Sequence, residues 1–255
     1  VNLLGDARKN PAVNDLYQQV DEQTPITFTE MAGNDGWSSE TTGGVTRITG
    51  TPTTHPDAAM AHELLHAKLK IGGYKRYCTT TAMHLKQRTA NVIASMLDNE
   101  LQHHKMFADF LSMGFQPEQF YHDDDSGTYA QIRKELKAMK RTQLPEEFLR
   151  PFVTIIAPGG AGGEDERIKL RNFFRTCCPP TYQKVLCNIE QEIAAWATQP
   201  SLDAGDTIVK IFELLGGYDH TWIGWDAADF PTSGHFIGPS FTMQQAQAWL
   251  AQNAR

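Results

Sequence analysis

Apolar positions along this chain fall into two kinds of pattern. Over 58–69, Ala58, Ala61, Leu65 and Leu69 recur at helical spacing with no breaker among them, which predicts a helix with one apolar side. Thr54-His55-Pro56-Asp57 marks its start, with an N-cap threonine, a proline suited to the first turn and an acid three residues after the cap; Gly72-Gly73 supplies the stop. A longer helix is predicted over 89–112, where Ile93, Met96, Leu97, Phe107, Phe110 and Leu111 form a stripe that ends before Gly114. A short helix is expected over 11–20. The segments 26–31 and 45–49 alternate instead and read as strands, with 34–44, rich in Gly, Ser and Thr, as a loop between them.

Further along, helical spacing dominates, over roughly 131–141, 165–176, 181–198, 203–215 and 241–252. The glycine-rich run 158–163 reads as a linker or flap. It has no Gly-Lys-Ser/Thr ending, and Glu164-Asp165-Glu166 directly after it repel phosphate. The acidic turn 121–127 lacks the ligand spacing of an EF-hand and reads as a solvated loop. Near the C-terminus Trp222, Trp225, Phe230 and Phe236 are interleaved with glycines, a pattern that suits core packing more often than a cleft wall.

Polar residues interrupt the stripes where they are least expected. At 100° per residue Glu100 and His103 point along the arc of Met96 and Phe107, with His104 slightly off it. A carboxylate and imidazoles facing a core are costly without a partner. The earlier helix carries His62-Glu63-Leu64-Leu65-His66, an H-E-x-x-H sequence. Two histidines four apart share a helical face and reach one zinc ion, with the glutamate beside them as general base. The five letters alone also describe a helix with two half-buried histidines, so the second helix matters. A metal held by the first would satisfy the second.

The chain has 255 residues, 40% hydrophobic and 21% charged, enough for a sizeable core. A net charge of −7 and a pI near 5.7 give no basic footprint, which argues against a nucleic-acid partner, and the basic stretch 133–141 reads as the wet face of a helix. No run of 18 apolar residues occurs, so no membrane span is expected. Cys78, Cys177, Cys178 and Cys187 lack C-x-x-C spacing and indicate no second structural zinc site; the last three suit either a disulfide or buried thiols. No apolar signal core follows Val1, and compartment and oligomeric state stay open.

The H-E-x-x-H helix, the strand candidate before it and Asn99-Glu100, with the glutamate 34 residues after His66, together resemble the zincin metallopeptidases, most closely their gluzincin branch. The resemblance covers roughly 45–112. It implies an α+β fold, with a zincin-like catalytic portion of small sheet and two long helices over 1–125. A mainly helical portion over 126–255 would complete the cleft, in a second domain or in one continuous with the first. It further implies a Zn2+ cofactor held by His62, His66 and Glu100, with Glu63 as base, acting on a peptide or protein substrate. The pattern departs at His104, where thermolysin-like relatives have an aspartate, and this leaves His103 as the alternative third ligand. Metzincin spacing is absent, since Leu69 and Gly72 follow His66, and so is a G-x-M-E-N exopeptidase element, which favours an endopeptidase. Tyr74, Tyr77, His122, Tyr218, His220 and His235 are candidate oxyanion donors. Two other readings remain: a zincin-like binding or regulatory protein without turnover, and a zinc hydrolase of a non-peptide amide or ester.

Overall fold

The computed structural model describes residues 2–33, 36–82, 84–120, 129–139, 144–159 and 163–253. In chain order the elements are α1 (Leu3–Ala7), α2 (Pro11–Gln23), β1 (Ile26–Glu30), β2 (Ser38–Thr42), β3 (Val45–Gly50), α3 (Pro56–Ile71), β4 (Cys78–Thr81), α4 (His84–Ser112), α5 (Tyr129–Ala138), α6 (Pro145–Ile156), α7 (Gly163–Cys177), α8 (Pro180–Thr198), α9 (Gly205–Leu215), β5 (Thr221–Gly224), β6 (His235–Ile237) and α10 (Met243–Asn253). The fold is mixed α/β, with ten helices and two three-stranded sheets among the described residues. None of the helices is long and apolar enough among those residues to cross a membrane.

The chain forms two compact units that interleave in sequence. One comprises Val1–Tyr74, Gln102–Lys140 and Pro151–Cys177, and the other Lys75–Leu101, Arg141–Arg150 and Cys178–Arg255. The expected division near residue 125 was continuous along the chain, whereas this one passes through α4.

The first unit is built around α3, on which α1, α2 and β2 pack. Nine residues of α3 are buried, Ala58 to Leu65 and Ala67, so it is covered on nearly every side. Its cap differs from expectation: His55 occupies the N-cap position, its side chain making no capping hydrogen bond to the helix, and Pro56 opens the first turn. Neighbouring α2 is capped as its sequence dictates, with Asn10 Oδ1 accepting from the Ala12 amide and Pro11 at the first helical position. Asn10 also donates through Nδ2 to Asp57 Oδ2 at 3.1 Å and so ties the starts of α2 and α3 together. The α2 face made of Val13, Leu16, Tyr17 and Val20 joins Leu64, Met106, Phe110 and Phe120 in one core.

The first sheet has the order β1-β3-β2, with β1 parallel and β2 antiparallel to β3. The loop expected over 34–44 therefore contains a strand. Its sequence, Ser38-Ser39-Glu40-Thr41-Thr42, carries no apolar alternation, yet exposure alternates along it, with Ser39 and Thr41 half-buried between exposed neighbours. As an edge strand it needs no apolar face to be held. Gly50 ends β3 beneath the Trp37 indole, where a Cβ would come within 2.8 Å of the ring.

The second unit contains a sheet of order β4-β5-β6, antiparallel throughout. The mainly helical expectation for 126–255 missed β5 and β6, whose three- and four-residue runs lie among glycines. Trp222, fully buried, pairs across the sheet with Phe236, and with Phe230 and Phe241 it forms a core cluster; Trp225 is exposed. Ahead of β5 both Gly216 and Gly217 have positive φ. All four cysteines are free thiols.

Candidate metal centre

In α3, His62 and His66 stand one turn apart on the same face, and the C-terminal part of α4 brings His103 to them. The three rings form a nearly regular triangle. Their centroids are 4.8 Å apart for His62 and His66, 5.0 Å for His62 and His103, and 5.2 Å for His66 and His103. The Nε2 atoms of His62 and His66 are 3.1 Å apart, and one ring nitrogen from each of the three residues falls within a 4.8 Å group. A tetrahedral zinc with metal–nitrogen bonds of about 2.0–2.1 Å would place its ligand nitrogens about 3.3 Å apart and their ring centroids about 5.2 Å apart. The ring separations come close to that geometry, while the ring nitrogens, within 4.8 Å of one another, are spread more widely than a bound ion would hold them. Glu100 is buried on the same helix and lies outside this group of three.

The arrangement also sets protonation. Gln102 Oε1 lies 3.0 Å from His66 Nδ1. An amide oxygen only accepts, so Nδ1 carries the proton and Nε2 presents its lone pair toward His62. Burial first, and then the neighbouring His103, push the His66 pKa down to about 3, against the hydrogen bond to Gln102, which opposes the shift. His66 is therefore neutral at pH 7, the state in which imidazole binds a metal.

Glu63, in the next position to His62, is 4% exposed. Its Oε2 accepts a 2.6 Å hydrogen bond from Ser39 Oγ on β2. Beside the histidines, the Phe120 ring lies 4.7 Å from that of His62 and 5.5 Å from that of His103, and Phe107 and Phe110 back it at 5.1 and 5.0 Å. This apolar wall limits access of water on one side. Comparison with protein-family models, curated proteins and solved structures finds no match.

Of the residues expected at the site, His62, Glu63 and His66 sit together on α3, joined by His103. Tyr74 lies just beyond α3, buried, with Lys70 Nζ 4.6 Å above its ring. Tyr77, Tyr218, His220 and His235 belong to the second unit, and His122 and the acidic turn 121–127 lie outside the described residues. Sequence reasoning missed Ser39, Gln102 and Phe120. A signal for Gln102 existed in its spacing of four residues from the buried Asp98 and Met106 and of eight from Phe110.

Proposed function

We propose that the protein is a zinc-dependent hydrolase of peptide bonds, of the zincin kind. The observation that carries this reading is the triangle of His62, His66 and His103, whose ring separations of 4.8–5.2 Å match a tetrahedral ion. A zinc held by His62, His66 and His103 would supply Lewis-acid activation of a water and of a substrate carbonyl. Glu63 takes the water's proton during attack and returns it to the leaving amine. Buried Phe120 and Phe110, with partly buried Phe107, keep bulk solvent from the histidines, and β2, an edge strand packed on α3, offers its backbone to an extended chain.

The test is metal content and turnover of three variants. Wild-type protein should hold one zinc per chain and cleave denatured casein. Glu63→Gln should keep the zinc and lose cleavage by at least a hundredfold. His103→Ala should lose zinc at concentrations where Glu100→Ala retains it. Zinc release by Glu100→Ala alone would move the third ligand to Glu100. A zinc-loaded wild type without cleavage of any peptide would favour a binding role.

A further inference from the structure

Resting on the zinc-hydrolase reading, we propose that Ser39 is a positioning residue for Glu63, holding one carboxylate oxygen so that the other faces the reacting water. Three observations carry it. The Ser39 Oγ to Glu63 Oε2 separation of 2.6 Å is that of a charge-assisted O–H···O⁻ bond. Glu63 is 4% exposed, so its orientation is set by protein donors rather than by bulk water. Ser39 sits on a strand that is itself fixed, by its ladder to β3 through the Ser39–Ile48 pair and by packing on α3.

A carboxylate on a two-methylene stem has several rotamers, and only those that aim an oxygen at the water are productive. The Ser39 hydroxyl selects among them by engaging Oε2. Because β2 is the edge of its sheet, the same strand that would receive an extended substrate also holds the base, so strand addition and base orientation share one rigid element. Ser38, Glu40 and Thr42 are exposed, and Thr41, the other half-buried residue of β2, pairs with Thr46 at 3.0 Å. Ser39 is thus the β2 side chain spent on α3's glutamate.

The test uses cobalt(II)-substituted full-length protein, whose visible absorption responds to hydrogen bonding at the metal-bound water. Ser39→Ala should shift the visible band envelope at unchanged cobalt stoichiometry, Ser39→Thr should return it to the wild-type form, and in a Glu63→Ala background Ser39→Ala should change nothing. On fluorescein-labelled denatured casein, Ser39→Ala should lower kcat about tenfold with KM within twofold, a partial loss of the general-base contribution. Identical spectra for wild type and Ser39→Ala overturn the role of Ser39, as does loss of cobalt in Ser39→Ala, which would make the residue structural. Failure of wild type to take up cobalt instead overturns the metal reading. If wild type takes up cobalt but leaves casein intact, the peptidase assignment falls, and the spectra still decide Ser39.

Discussion

Gln102 Oε1 and His66 Nδ1 are 3.0 Å apart, which makes the second partner of a candidate zinc ligand a neutral amide. Its oxygen orients the ring and fixes the tautomer, as outer partners of metal-bound histidines do, while adding no charge. Gln102→Leu should weaken zinc binding by about 10–100-fold in a competition titration with a chelating dye. Gln102→Glu, which keeps the acceptor and adds a negative charge, should bind zinc at least as tightly as wild type. Equal affinity for all three proteins would mean that the hydrogen bond does nothing for the metal.

The half-buried His66 also predicts an acid sensitivity in the metal-free protein. Its folded pKa, about 3, lies below the ordinary value of 6.5. Between those pH values the unfolded chain binds a proton that the folded one refuses, so stability rises with pH through this window and is lost as pH falls from 6.5 toward 3. The limiting slope is about 1.4 kcal/mol per pH unit for one such group. Urea midpoints measured from pH 7.5 to 4 should fall on acidification, and His66→Asn should flatten the curve. A midpoint that stays constant down to pH 4 in wild type would contradict the neutral imidazole of His66.

What could be read from the sequence follows from where each signal resides. The helix of His62 and His66 was legible because its periodicity, proline start and glycine stop are all local, and α3 spans Pro56–Ile71 around the expected 58–69. Its cap was placed one residue early, at Thr54 rather than His55, since a threonine is the better side-chain cap and the sequence does not show that the helix starts on His55. Strand β2 was not legible. Its inward positions are Ser39 and Thr41, whose partners Glu63 and Thr46 are distant in sequence or on the neighbouring strand, so polar pairing replaced the apolar alternation that marks a strand. Likewise β5 and β6 are stabilised by cross-strand pairing of Trp222 with Phe236, which no window of local sequence contains. At the site, polar residues on the arc of α4 were visible, but that His103 rather than Glu100 groups with His62 and His66 depends on how two helices meet, which no local window contains.

Lys68 and Asp109 join α3 to α4 at 2.7 Å, yet both side chains are about half exposed. Solvent screens such a pair and fixing two flexible side chains costs entropy, so it should contribute no more than about 0.5 kcal/mol. Asp109→Asn should therefore shift the unfolding free energy by less than that amount and leave zinc content unchanged. A loss above 1.5 kcal/mol would show that the pair, rather than the apolar packing of α3, fixes the helix in place.

Gly159 is expected to be the more sensitive position, though it is further from the histidines along the chain. Its φ is +70°, and a Cβ there would come within 2.6 Å of the Pro117 carbonyl oxygen, 2.7 Å of Phe107 Cε2 and 3.1 Å of Phe120 Cβ. The left-handed backbone alone costs an alanine about 1 kcal/mol, and the clash with a backbone oxygen cannot be relieved by turning a side chain. Gly159→Ala should destabilise the metal-free protein by about 2–4 kcal/mol in urea unfolding. Because Phe120 packs on both His62 and His103, the displacement should reach the metal centre as well. Zinc affinity should fall along with stability, whereas a surface substitution of equal thermodynamic cost should leave the affinity of the folded protein unchanged. If Gly159→Ala unfolds at the wild-type urea concentration, the close approach of this backbone to Phe107 and Phe120 is wrong.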